Sequence, residues 1–137
     1  MPHVNITGGC LCGALRYEAG TQTTVMGYCC CDDCQKVSGS GFIPFIRLPP
    51  GALKVSGEYR LNLKQQADGR NSDRYHCVKC ASLVFGGAPG NPNGNTLYAG
   101  TLDDTAIFQP AMAIMTKFKP DWVLLPDGLK MFEGMPQ

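Results

Sequence analysis

An all-β fold is predicted by three observations. The apolar and alternating segments are short and separated by turn residues. The chain carries 17 glycines and 10 prolines in 137 residues, and no long segment shows 3.6-residue periodicity. Its eight cysteines fall into three groups, 10/12, 29/30/31/34 and 77/80, so the strands are expected to surround thiolate metal sites. Length fits one domain over residues 1–137, and no internal repeat or low-complexity linker divides it.

Val4 and Ile6, then Leu15 and Tyr17, alternate on either side of Gly8-Gly9-Cys10-Leu11-Cys12-Gly13. That predicts strand, glycine turn, strand. Cys10 and Cys12, two apart, share a face roughly 6–7 Å from each other in an extended chain. Residues 25–31 read as a second strand that delivers the central cysteines. Asp32 to Ser38 reads as a short helical turn ended by Gly39-Ser40-Gly41. Phe42 to Leu48 is a strand signal in which Pro44 removes a ladder donor and suggests an edge or a bulge.

Pro49-Pro50-Gly51 is a turn. Leu53 to Val55 and Glu58 to Leu63 read as short strands around Ser56-Gly57. The polar run Gln65 to Asp73 contains Asp68-Gly69, a turn signal. Arg74 to Cys77 leads into the last cysteine pair. Ser82 to Phe85 and Thr96 to Ala99 read as strands flanking the glycine- and proline-rich loop 86–95. Residues 111–118 alternate or form a buried strand, Asp121 to Leu125 is apolar, and the tail from Lys130 carries little pattern.

Net charge is +1 with scattered basic residues. There is no bulk field for nucleic acid or an anionic membrane and no basic stripe. The start lacks a signal-peptide pattern and no apolar run suffices to cross a bilayer, so the expected location is cytoplasmic. In that compartment the thiols are expected reduced, and clustered spacing favours metal over disulfides.

Zinc takes four ligands in tetrahedral array and binds thiolates well. Cys77-x-x-Cys80 forms a half-site that needs a second pair. Cys31 and Cys34 are one candidate for it and Cys10 with Cys12 the other. Strand alternation favours the second pairing: Cys29 and Cys31 share a face, Cys30 points away, and Cys34 curls back after the turn. Three thiolates then converge without a fourth protein ligand, the pattern of a catalytic zinc, while four closed cysteines form a structural one. Cys30 reads as a buried inert thiol. His76 is directed away from Cys77 by alternation, and His3 is expected to be exposed. Asp32 and Asp33 read first as solvated turn residues and second as candidates for proton transfer.

The sequence resembles the glutathione-dependent formaldehyde-activating enzyme family, the CENP-V/GFA domain. The matching residues are Gly9-Cys10-Leu11-Cys12-Gly13-Ala14-Leu15-Arg16-Tyr17, the Cys29-x-Cys31-x-x-Cys34 cluster with Lys36 and Ser38-Gly39, and Arg74-x-x-Cys77-x-x-Cys80. Gly100-Thr101-Leu102-Asp103, Lys119-x-x-Trp122 and Asp127-Gly128-Leu129 also match. The resemblance implies an Mss4-like β-fold with two zinc ions, a structural one on Cys10, Cys12, Cys77 and Cys80 and a catalytic one on Cys29, Cys31 and Cys34. It implies a carbon–sulfur lyase acting on a thiol adduct of a small aldehyde, as in the condensation of formaldehyde with glutathione to S-hydroxymethylglutathione. The expected partner is thus a small thiol or aldehyde, with a homo-oligomer left open.

Two positions depart from the family pattern: Cys30 stands where His is frequent, and Ala81 where Gly is usual. Lys36 and Arg47 lie nearest the cluster in sequence as partners for substrate carboxylates, although both read first as solvated surface residues. The rival to an enzyme is a non-catalytic, zinc-stabilised binding or interaction module in which both ions are structural.

Overall fold

The computed structural model describes residues 4–22, 24–67 and 69–136. His3, and Asp68 of the expected Asp68-Gly69 turn, lie outside them. The architecture is all-β. A three-stranded antiparallel sheet is built from β1 (Val4–Gly9), β2 (Arg16–Thr21) and β5 (Leu53–Ser56) in the order β1-β2-β5. The other strands are β3 (Val25–Cys29), β4 (Ile43–Leu48), β6 (Tyr59–Gln65), β7 (Asn71–Cys77), β8 (Leu83–Gly86), β9 (Asn95–Tyr98), β10 (Met112–Ile114) and β11 (Lys130–Met131). They form an eight-stranded sheet in the order β11-β10-β3-β4-β9-β8-β7-β6.

Side-chain alternation gives the large sheet two different faces. Ile46 and Leu48 of β4, Leu97 of β9, and Tyr75 and Cys77 of β7 join a core with Ile6, Tyr17, Ala19 and Leu53 of the small sheet. The intervening positions of the same strands, Phe45 and Arg47, Thr96 and Tyr98, Ser72 and Arg74, line a cavity. The large sheet thus holds the two sheets together with one face and presents a concave surface with the other.

The short helix α1 (Asp32–Ser38) begins on Cys31 and ends on Gly39, whose left-handed φ of 70° closes the last turn by donating its N–H to Gln35. The Gln35 side-chain amide donates to the carbonyls of Cys30 and Phe118, each at 2.9 Å. It ties the helix to both flanking segments.

Several local expectations need correction. β4 is interior, between β3 and β9, so Pro44 is not on an edge strand. Its pairing with β9 covers only Phe45–Leu48, however, so Pro44 stands where β4 pairs with β3 alone and its missing donor interrupts no second ladder. β3 ends at Cys29 rather than 31. β7 begins at Asn71, inside the run read as a polar turn, because a hairpin with β6 pairs Gln65 with Asn71. In residues 111–118 only Met112–Ile114 is strand; Met115 turns left-handed at φ 56° and a 3-10 turn follows. The apparently patternless tail contributes β11, which runs parallel to β10. A two-residue strand has no periodicity of its own and exists only because β10 offers it a ladder. No helix among the described residues is long and apolar enough to cross a membrane.

Candidate metal centres

All eight cysteines are free thiols, and seven form two clusters. In the first cluster, the Sγ atoms of Cys10, Cys12, Cys77 and Cys80 lie within 4.8 Å of one another. Cys10 and Cys12 belong to the loop between β1 and β2, while Cys77 ends β7 and Cys80 lies in the turn between β7 and β8. The cluster therefore joins the small sheet to the large one.

Backbone amides point at the sulfurs. Leu15 N–H donates to Cys10 Sγ at 3.2 Å and Lys79 N–H to Cys77 Sγ at 3.3 Å. Such bonds favour thiolate over thiol. The hydroxyl and amide of Ser82 hold the Cys80 thiol down at about 5. Four converging cysteine sulfurs fit a tetrahedral zinc ion.

The turn that carries Cys77 and Cys80 closes on Ala81, which has a left-handed φ of 64°. Its N–H donates to the Cys77 carbonyl at 2.9 Å, and Cys77 N–H donates to the Ser82 carbonyl at 3.0 Å. A residue with a Cβ costs about 1–2 kcal/mol in this conformation, and glycine returns about 0.4–1 kcal/mol of that through unfolded-chain entropy. Ala81→Gly should therefore stabilise the protein by about 0.5–1 kcal/mol. A thermal melt should shift upward by roughly 2–5 °C; an unchanged or lower midpoint would count against strain at this residue.

In the second cluster, the Sγ atoms of Cys29, Cys31 and Cys34 lie within 4.8 Å of one another. Cys29 ends β3 and Cys34 sits in the first turn of α1. Cys31 is the N-cap, its extended backbone placing the sulfur where it accepts from Cys34 N–H at 3.3 Å. Strand alternation anticipated the convergence of Cys29 and Cys31, but a helix cap rather than a continuing strand brings Cys31 in.

Cys31 is held well below the ordinary thiol range by donation from Cys29 and Cys34, by the helix amide and by the charge of Arg74. Cys29 is pushed up by its donation to Cys31 and Cys34 and by burial. Before any ion is considered, negative charge therefore settles on Cys31, with Cys29 and Cys34 as its thiol neighbours. Arg74 of β7, half-buried, donates to Cys34 Sγ at 3.8 Å. Among the described residues no fourth His, Cys, Asp or Glu donor joins the three.

The three cysteines form part of the wall of a cavity of about 550 Å³, within the range of small-molecule sites. Polar groups from the β6–β7 hairpin, Gln66, Arg70, Ser72 and Arg74, contribute to its lining. Arg47, read from sequence as solvated, is exposed but also lines the cavity, braced by Thr96 Oγ1 at 2.8 Å and the Asn93 carbonyl at 2.6 Å. Lys36 does not line it.

Asp33 borders the cavity, but Lys64 and Gln66 occupy its two oxygens and hold its carboxyl below the ordinary range. Asp32 is exposed and outside the lining. Cys30 is wholly buried, belongs to neither cluster and has its thiol pushed up by burial. His76 joins neither cluster. Arg70, Arg74 and the methionines of the cavity went unremarked as site residues from sequence. Arg74 carried one sequence signal, its place in Arg74-x-x-Cys77-x-x-Cys80, and no local spacing marks the others.

No curated protein matches the sequence. A crystal structure of a Rhodobacter sphaeroides protein is similar in fold, with a TM-score of 0.51 at 22% identity, over 71% of this chain and 87% of that one. The family model described as glutathione-dependent formaldehyde-activating enzyme matches residues 5–118, a span that contains both cysteine clusters. On that match the chain belongs to the glutathione-dependent formaldehyde-activating enzyme family.

Proposed function

We propose that this protein is a zinc-dependent carbon–sulfur lyase that makes and breaks the adduct of a small aldehyde with a thiol such as glutathione. The observation that carries the reading is the convergence of three cysteine sulfurs on the wall of a cavity, with no fourth protein donor among the described residues. Cys10, Cys12, Cys77 and Cys80 would hold a structural zinc, and Cys29, Cys31 and Cys34 a second ion with a position open to substrate. Zinc there would supply Lewis-acid polarisation of a carbonyl oxygen and stabilise a thiol as thiolate near neutral pH.

In the condensing direction the carbon–sulfur bond forms between the thiol sulfur and the carbonyl carbon, and the thiol proton ends on the carbonyl oxygen. In the reverse direction that bond breaks and the hydroxyl proton returns to sulfur. Arg74 places a fixed positive charge beside Cys34, offsetting the charge accumulated by three thiolates and an incoming fourth. Arg47 and Arg70, also on the cavity wall, suit the carboxylates of a thiol such as glutathione. Asp33 is a poor proton acceptor because Lys64 and Gln66 already engage it. Proton movement then falls to solvent or to the substrate itself.

Metal content and turnover on one preparation test the reading. Two zinc ions per chain and formation of S-hydroxymethylglutathione or a related adduct are expected. A zinc-loaded protein that handles no aldehyde–thiol pair, or one in which a fourth protein ligand closes the second site, would favour the non-catalytic module instead.

A further inference from the structure

Formaldehyde has two heavy atoms, on the order of the ~30 Å³ share of a water molecule or two, against a cavity of about 550 Å³. A thiol the size of glutathione accounts for part of the difference, and its polar groups match Arg47, Arg70, Gln66 and Ser72. The remaining lining is of another kind. Ile43, Phe45 and Ile114 are buried around it, and Met112, Met115 and Met135 extend the apolar lining. Nothing in formaldehyde or in a peptide thiol complements six apolar side chains.

Backbone geometry places two of the methionines. Met115 adopts a left-handed conformation, φ 56°, that an L-residue takes at a cost. Its N–H donates to the Gly134 carbonyl at 2.9 Å, while Thr116 N–H donates to the Phe132 carbonyl at 3.0 Å. These bonds hold the C-terminal strap against β10 and place Met135, 58% exposed, at the cavity. The strap lies after residue 118, outside the span matched by the family model. Of the apolar side chains named, Met135 alone lies outside that span; Ile43, Phe45, Met112, Ile114 and Met115 lie within it. Methionine side chains are flexible and polarisable, and they adapt to apolar ligands of varied shape.

We propose that the aldehyde taken by this site bears an apolar chain of several carbons, packed on Phe45, Met112, Met115 and Met135 while the polar wall holds the thiol component. This rests on the lyase reading and names its substrate class. Each fully buried CH₂ raises affinity about fourfold.

Calorimetry on the zinc-loaded protein with S-methylglutathione and S-hexylglutathione tests the wall without requiring turnover. The same comparison with ethanethiol and hexane-1-thiol removes dependence on the headgroup. At least a fivefold preference for the longer member is expected in one pair or both. It should fall below fivefold in Met112→Ser/Met135→Ser, checked for folding by its melt, and be retained in Met135→Leu. A preference below fivefold in both pairs overturns the inference, as does one that survives the double serine variant or is lost in Met135→Leu. If chain-length preference is present but the protein neither makes nor cleaves any aldehyde–thiol adduct, the lyase reading fails and the apolar subsite stands.

Discussion

Cys77→Ser should leave the protein without a cooperative unfolding transition, or without soluble yield. Cys77 is almost fully buried, 1% exposed, and its sulfur belongs to the cluster that links the β1–β2 loop to the β7–β8 turn. A structural zinc in such a site contributes apparent binding energy of about 10–16 kcal/mol to folding, comparable with the ~5–15 kcal/mol net stability of a whole domain. Serine keeps the shape but binds zinc far less well than a thiolate. The two sheets would then depend on their apolar interface alone. The measurement is a circular-dichroism melt with metal analysis before and after chelation. Cys30→Ala is the control. It removes an equally buried sulfur that lies in neither cluster, and it should cost about 1 kcal/mol through a small cavity while both metals remain bound. A Cys77→Ser protein that melts like wild type and keeps two metals would show that this cluster does not sustain the fold.

Cys34→Ser should give the opposite pattern: a folded protein, a melt within a few degrees of wild type, about one metal per chain, and adduct turnover down by at least ~100-fold. Changing groups that only hydrogen-bond to a metal's ligands already costs about 10–100-fold, and Cys34 would be a direct ligand. Cys31→Ser separates ligation from local folding. The Cys31 sulfur caps α1 by accepting from Cys34 N–H, and serine is a favoured N-cap. The helix should therefore persist in that variant while the second metal and the activity are lost. If Cys34→Ser unfolds the chain and Cys77→Ser does not, the roles of the two sites are exchanged. Loss of metal without loss of turnover would remove the second ion from the mechanism.

The cysteine groups were legible because ligation depends on residue type and local spacing. Cys77-x-x-Cys80 is a half-site wherever it occurs, and strand alternation was enough to set Cys30 apart from Cys29 and Cys31. The reading faltered where a neighbour decides the outcome. Pro44 suggested an edge strand or a bulge, yet β4 is interior between β3 and β9, and it tolerates the proline because β9 stops pairing one residue short of it. The tail beyond Lys130 showed no pattern, since β11 borrows its order from β10. Arg47 looked solvated because nothing nearby in sequence reveals the cavity that it lines.

The sequence by itself determined the all-β class, the membership of the two thiol clusters and the family. The first two follow from short-range patterns of turn residues, alternation and cysteine spacing, and the family from the resemblance of the motifs. The tertiary structure alone decided that one cluster joins the two sheets while the other borders a cavity. It also decided which side chains surround that second cluster. Arg74 reaches Cys34 across 40 positions of chain, and Met135 reaches the same cavity from the C-terminal strap. Those neighbours are set by how eight strands stack in an order that the chain does not follow, and residue spacing does not encode that order.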